Sequence, residues 1–271
     1  MIAKYLQFAP AYLKVRENLS RAENLLDDVE ADLIVLPELF QSGYFFQSEA
    51  DLHSVAERVP DGPTTRRLQE WARQSGAVIV AGLAEQEGGD LYNSAVLVRP
   101  DGTTDTYRKV HLFYEETTLF SPGDLGFGVF DVETRAGTPY RLGVMVCFDW
   151  YFPEAARTLA LEGADVIAHP SNLVLPHCPD SMPVRARENH VFTITANRHG
   201  REEKDGETLA FIGMSEICGP GGDILDRAGR EETTVLGVEI DPHNARNRMI
   251  NRFNDALGDR RPDVYARTQA S

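Results

Sequence analysis

Apolar positions along the chain change period several times, and each change marks an element. Ile2–Phe8 reads as an opening strand. From Tyr12 to Glu30, the residues Leu13, Val15, Leu19, Ala22, Leu25, Leu26 and Val29 recur near helical spacing with charges between them, which predicts an amphipathic helix. Leu33-Ile34-Val35-Leu36 is an unbroken apolar run, as expected of a strand covered on both faces. It stops at Pro37, which cannot donate to a central ladder. Thr64–Gln74 predicts a second helix and Ala77–Leu83 a second buried strand. Tyr92–Val98 and Thr104–Lys109 flank Pro100-Asp101-Gly102, a turn signal that makes them a hairpin. Arg141–Val146 is a further strand, and Pro153–Glu162 a helix with proline in its first turn.

The later half repeats this order. Asp165–Ala168 runs into His169-Pro170 as Leu33–Leu36 runs into Pro37. Val184–Asn189 reads as helix and Val191–Ala196 as strand, while Phe211–Cys218 and Ile224–Arg227 flank Pro220-Gly221-Gly222 as a second hairpin. No linker-like stretch separates the halves. The expectation is a single domain over residues 1–271, built from a duplicated strand–helix–strand–hairpin unit. Such units make mixed sheets; two of them, each covered by helices outside, give an α/β four-layer α-β-β-α sandwich.

Charge removes some functions. The chain carries 42 acidic against 27 basic residues, a formal −15, and no basic stripe interrupts the excess, so nucleic-acid partners are not expected. No apolar run reaches the ~18–20 residues of a membrane span, and the N-terminal stretch has no secretory-leader pattern. Cys147, Cys178 and Cys218 are odd in number and far apart, which suggests neither a disulfide framework nor a cysteine zinc site. A reducing, cytoplasmic setting follows.

Three residues occupy equivalent places at strand ends: Glu38 after Leu33–Pro37, Lys109 closing Thr104–Lys109, and Cys147 after Leu142–Val146. Ligands collect at the carboxyl ends of strands in α/β sheets. Singly, each has a plain structural explanation: a solvated glutamate, a surface lysine, a small core cysteine. Together they form a nucleophile, a carboxylate base and an electrostatic partner. A helix starting soon after Cys147, with Lys109 nearby, predicts a thiol whose pKa is lowered toward thiolate.

The segments 36–44 (LPELFQSGY), 107–113 (YRKVHLF) and 143–154 (GVMVCFDWYFPE) resemble the three signature blocks of the nitrilase superfamily of carbon–nitrogen hydrolases. The connecting segments 82–85 (GLAE), 92–102 (YNSAVLVRPDG), 121–124 (SPGD) and 157–172 (RTLALEGADVIAHPSN) extend the likeness over nearly the whole chain. The resemblance implies Glu38 as general base, Lys109 as oxyanion-side ammonium and Cys147 as nucleophile. It also implies a second carboxylate at Glu116, with Glu115 one residue away as the alternative register. The Phe148 N–H would join Lys109 at the oxyanion, and Tyr44 and Asn172 would line the acyl pocket. Asp149 reads as a cap rather than a substrate contact.

The implied reaction is acyl transfer to sulfur followed by hydrolysis, with no metal or organic cofactor. A small aliphatic amide is the expected substrate, because Cys147-Phe148-Asp149 resembles the amidase-like and carbamoylase-like branches more than the Cys-Trp-Glu of typical nitrilases. Nitrile or N-carbamoyl hydrolysis is the alternative, and a catalytically silent binding protein on the same shell is the non-enzyme alternative. Arg108 and Arg198 are the basic residues to consider for a substrate carboxylate, and neither can be assigned to it. A histidine base chosen from His111, His169, His177, His190 and His199 is a rival mechanism, and a zinc site from His169, His177, Cys178 and His199 fits no standard spacing. The family likeness also implies a homodimer or larger homo-oligomer, with the arginine-rich tail 244–271 at its interface.

Overall fold

The computed structural model describes residues 1–265. In chain order the first half runs β1 (Ile2–Gln7), α1 (Val15–Leu26), β2 (Leu33–Val35), α2 (Glu49–Val55), α3 (Pro63–Ser75), β3 (Val78–Glu87), β4 (Asp90–Val98), β5 (Thr104–Arg108) and α4 (Glu116–Leu119). The second half runs β6 (Val129–Glu133), β7 (Pro139–Val144), a 3-10 helix (Cys147–Tyr151), α5 (Pro153–Leu161), β8 (Val166–Pro170), α6 (Cys178–Asn189), β9 (Phe192–Ala196), β10 (His199–Lys204), β11 (Glu207–Ile212), β12 (Glu216–Cys218), β13 (Ile224–Arg227) and β14 (Thr234–Glu239). A short 3-10 helix (Pro242–Arg246) leads to β15 (Met249–Asn251) and β16 (Asn254–Asp255).

Two six-stranded mixed sheets form the body, ordered β14-β1-β2-β3-β4-β5 and β13-β12-β9-β8-β7-β6. In each, three parallel strands (β1-β2-β3, β7-β8-β9) continue into an antiparallel hairpin, and an antiparallel strand closes the other edge. The duplicated topology expected from the sequence is present. β14, late in the chain, takes in the first sheet the place that β6 takes in the second.

Residue alternation assigns the layers. Leu33 and Val35 enter the core shared by the two sheets with Ala3, Tyr5, Val80, Val144, Ala168 and Ile194. Ile34 and Leu36 turn the other way and pack with Leu68, Trp71 and Ala72 of α3 and Ala22 of α1. On the second sheet, Ala155, Leu159 and Ala160 of α5 and Met182 and Ala186 of α6 supply the cover. The result is the four-layer sandwich.

The structure corrects two readings. Phe211–Cys218 is not one strand: Glu207–Ile212 pairs with His199–Lys204 in a separate two-stranded sheet, and Glu216–Cys218 alone joins the main sheet. Gly213 makes the break, with φ +61° and an added Cβ lying 2.2 Å from the Arg230 carbonyl oxygen. The helix read at Val184–Asn189 begins earlier, at Cys178, and runs through Pro183.

Candidate active site

β2, β5 and β7 deliver Glu38, Lys109 and Cys147 to one place, and the local chemistry explains how. After Pro37 the chain crosses over β3, where the Gly82 N–H donates to the Pro37 carbonyl (3.1 Å) and its carbonyl accepts from the Phe40 N–H (3.1 Å). A Cβ on Gly82 would lie 2.4 Å from the Glu38 Cα, so only glycine admits the glutamate here. Gly123 plays the same part for Lys109. Its N–H donates to the Lys109 carbonyl at 2.9 Å, and a Cβ would lie 2.0 Å from the Arg108 carbonyl oxygen.

Leu39, Tyr114 and Cys147 hold φ of +47°, +55° and +43°, conformations that cost such residues on the order of 1–3 kcal/mol each. All three adjoin the site. Cys147 opens its 3-10 helix directly from the strand segment, with Val146 before it extended. Asp149, fully buried, braces this turn: one carboxylate oxygen accepts from the Val146 N–H (2.9 Å) and the Tyr107 hydroxyl (2.6 Å), and the other lies 3.1 Å from the His111 N–H and 2.8 Å from its ring Nδ1. It therefore caps the turn and also ties the Cys147 segment to the one carrying Lys109.

The charged centre is closed from water, with Glu38 and Lys109 side chains 0% exposed and Glu116 3%. Lys109 Nζ donates to Glu38 Oε1 and Glu116 Oε1, both at 2.7 Å. The Tyr44 hydroxyl donates to Glu116 Oε1 at 2.6 Å, and the Asn93 amide to Glu38 Oε1 at 2.7 Å. Glu38 Oε2 is buried and has no partner. Glu115, the other register for the second carboxylate, lies apart and pairs with Lys204 at 2.6 Å. Cys147, Phe148 and Asn172 line a small cavity of about 20 Å³ with Phe113, Trp150, Leu173, Val174 and Leu175. Both side-chain polar atoms of Asn172 are buried and unpartnered. Tyr44 does not line this cavity; its hydroxyl is committed to Glu116. A far roomier groove of about 830 Å³, lined by Arg99, Tyr140 and Arg246 among others, contains none of these residues.

The electrostatics overturn one expectation. The Cys147 thiol is pushed up, not down: burial is the main cause, the Glu38 and Glu116 carboxylates add to it, and Lys109 only partly offsets them. Two carboxylates share one ammonium, so a thiolate formed by losing its proton to water would add a second uncompensated buried charge. Transfer of that proton to Glu38 leaves the total unchanged. Burial opposes the Lys109 ammonium, but Glu116 and Glu38 prevail and raise its pKa. Glu116 is raised to about 6 by burial, against the pull of Lys109.

Four of the five candidate histidines are engaged elsewhere, and His177 sits at the N-terminal end of α6. His111 stacks on Phe152 at 3.7 Å between centroids and pairs with Asp149. His169 Nε2 is 2.9 Å from the Cys147 carbonyl oxygen, not at the sulfur, and its Nδ1 is 3.0 Å from the Thr195 hydroxyl. His190 and His199 meet the Ala245 carbonyl and the Thr233 hydroxyl. Among the described residues no group of three or more His, Cys, Asp or Glu is placed to hold a metal ion, so the zinc set is not assembled. Arg108 is held bidentately by Glu85 (3.1 and 2.6 Å) and by Asp124 (3.0 Å); Arg198, 1% exposed, pairs with Glu202 and donates to the Pro10 carbonyl at 3.2 Å. Neither is free for a substrate carboxylate.

Asn93 was missed by the sequence reading, although a lone amide inside the apolar run Leu91–Val98 was its signal. The bridging by Asp149 and the contact of His169 depend on which strands lie side by side, which the local pattern does not encode.

The family model for carbon-nitrogen hydrolase matches residues 3–248. A protein named nitrilase from Pyrococcus abyssi is 49% identical over 266 residues, covering 97% of this chain and 98% of that one. An N-carbamoylputrescine amidase from Solanum lycopersicum is 32% identical, covering 93% of this chain and 89% of its own. The solved structure of a variant amidase from Nesterenkonia sp. AN1, with the acetamide moiety of fluoroacetamide covalently added at the active site cysteine, superposes with a TM-score of 0.79 at 28% identity, covering 97% of this chain and 95% of that one. With the fold, these likenesses make the chain a member of the carbon-nitrogen hydrolase family, an enzyme of the nitrilase superfamily that hydrolyses carbon–nitrogen bonds.

Proposed function

We propose that this enzyme hydrolyses a small uncharged amide to a carboxylic acid and ammonia through a thioester on Cys147. The observation that carries the reading is the unpartnered Oε2 of Glu38, in a centre where Glu38 Oε1 and Glu116 Oε1 hold two of the three Lys109 ammonium protons and leave the third for substrate. The Cys147 sulfur bonds to the amide carbon while its proton passes to Glu38 Oε2. Lys109 and the Phe148 N–H hold the oxyanion, such donors being worth ~2.7–4 kcal/mol each. Glu38 then protonates the leaving nitrogen as the C–N bond breaks. Water attacks the thioester and gives a proton to Glu38; the acid departs, and the proton returns to sulfur. Glu116, steadied by Tyr44, keeps Lys109 charged and in place. Asn172 supplies polar atoms to the acyl cavity, whose apolar lining and small volume favour a short acyl chain without charge. No step in this sequence calls on a metal or organic cofactor.

Nitrile hydrolysis is the second reading, favoured by the relative named nitrilase. A nitrile would enter the same path as a thioimidate. Ammonia release from short aliphatic amides, ω-amides, N-carbamoyl amines and nitriles, each with Cys147→Ala as control, decides. Turnover of amides lost in the variant is expected; turnover surviving it contradicts the nucleophile, and turnover of nitriles alone replaces the first reading by the second.

We also infer that residues 1–271 act as one hydrolase domain and that a second copy of the chain covers its tail. Met249, Ile250, Phe253, Val264 and Tyr265 expose large apolar side chains in one stretch; tail residues 266–271 lie outside the described ones. A stable homodimer on light scattering, weakened by Ile250→Asp with Phe253→Asp, is the expected result, and a monomeric parent contradicts it. The three cysteines are all unbridged, which supports a reducing, cytoplasmic setting. Among the described residues no helix is long and apolar enough to cross a membrane.

A further inference from the structure

His169 is the one buried histidine whose ring meets the nucleophile's own backbone, and the catalytic sequence above gives it no part. It is the penultimate residue of β8, next to β7, and is 0% exposed. Its Nε2 lies 2.9 Å from the Cys147 carbonyl oxygen and its Nδ1 3.0 Å from the Thr195 hydroxyl on the adjacent β9. A carbonyl oxygen only accepts, so Nε2 carries the proton, with the Ser171 hydroxyl 3.1 Å from the same nitrogen and donating to the His169 carbonyl, and Nδ1 takes a proton from Thr195. Burial lowers the pKa of His169 to about 4, so near neutral pH the ring holds a single proton and Thr195 selects where it sits.

The accepting carbonyl belongs to the peptide unit that joins Cys147 to Phe148. In a trans peptide, C=O and N–H point in opposite directions. Whatever holds the Cys147 carbonyl therefore aims the Phe148 N–H, which lies in the first turn of a 3-10 helix where it has no intrahelical acceptor. Cys147 has φ +43°, a sparsely populated conformation that persists only where surrounding contacts enforce it. Asp149 grips the turn on one side of the nucleophile through the Val146 N–H; His169 grips it on the other.

We propose that His169 is a positioning residue for the oxyanion site: by donating from Nε2 to the Cys147 carbonyl, it fixes the 147–148 peptide so that the Phe148 N–H faces the charge developing on the substrate. The proposal rests on the thioester reading above. It explains why a histidine is buried beside a catalytic cysteine without facing its sulfur. His169 exchanges no proton with substrate; it sets and polarises the group that does the binding.

The test compares the parent with His169→Leu, which removes the donor, and His169→Gln, which can return an amide N–H near the Nε2 position. Two reactions are followed: turnover of whichever amide the parent hydrolyses, and alkylation of Cys147 by iodoacetamide, which forms no oxyanion. In His169→Leu, kcat is expected to fall by ~100-fold, the loss typical of one oxyanion donor, with KM and the alkylation rate nearly unchanged. His169→Gln recovers most of the loss. A His169→Leu enzyme with parental kcat overturns the proposal, as does a parallel fall of turnover and alkylation, or a glutamine variant no better than leucine. If His169→Leu does not fold, Thr195→Val removes only the hydroxyl that selects the tautomer. The same split is then expected at ~10-fold, and its absence overturns the proposal. Failure of the thioester reading would show separately, as parental turnover in Cys147→Ala.

Discussion

Two buried ion clusters flank the same loop, and they are built to different standards. In the first, Glu202 accepts from Arg198 and from the Tyr44 and Phe45 N–H groups at 3.0 and 2.7 Å. Arg198 also donates to Pro10 and lies 4.0 Å over the Phe211 ring. Neither charged group is left with a buried polar atom lacking a partner. In the second, Lys109 joins Glu38 and Glu116, but Glu38 Oε2 and Asn93 Oδ1 are buried without partners. The first commits both carboxylate oxygens of Glu202 and all three guanidinium nitrogens of Arg198 to holding the chain. The second leaves Glu38 Oε2 unpartnered near a thiol whose ionisation its charge opposes; an unsatisfied buried acceptor costs stability and can take up a proton.

The contrast is broken most directly at Glu38. Glu38→Gln preserves the contacts of Oε1 but removes the proposed base; amide turnover is expected to fall ~10²–10⁴-fold with the circular dichroism and melting temperature little changed, as steady-state kinetics beside a thermal melt will show. Lys109→Gln should cost ~10²–10³-fold in kcat. At Arg198 the direction reverses. Arg198→Met leaves Glu202 buried without its cation and should cost about 3–5 kcal/mol of stability by denaturant unfolding, while turnover per folded molecule stays near parental. A large chemical loss in Arg198→Met with unchanged stability would erase the distinction.

Glu116 sharpens the comparison through pH. Its pKa is raised to about 6, so its carboxylate is present above that pH and lost as pH falls through it. Activity that needs the carboxylate beside Lys109 should rise with pH along an acid limb centred near 6, and Glu116→Gln should remove that limb. Tyr44→Phe gives the smallest effect. The Tyr44 hydroxyl lowers the Glu116 pKa, so its loss should move the limb to higher pH at nearly parental plateau rates.

Much of this was legible in the chain. Glu38 and Cys147 each follow an apolar strand run and Lys109 closes a mixed one, and the repeated strand–proline junctions at Pro37 and Pro170 announced the duplicated sheets. The rest depended on neighbours that periodicity does not name. Asn93 reaches Glu38 because β4 lies against β3 at a particular register. The Gly213 break sends Glu207–Ile212 away from the main sheet, though the apolar pattern runs on. The direction of the thiol shift differs from the expectation for a related reason: the sequence displays a lysine and a coming helix, but not that the sulfur is buried where the charges of Glu38 and Glu116 outweigh Lys109.

The central claim is that the resting centre holds a neutral thiol activated by a base rather than a standing thiolate. The ultraviolet thiolate absorbance of the free enzyme, measured across pH with Cys147→Ala subtracted, tests it. The account predicts no Cys147 thiolate at neutral pH and its appearance only on the alkaline side of an ordinary thiol; a thiolate step at or below neutral pH would contradict it.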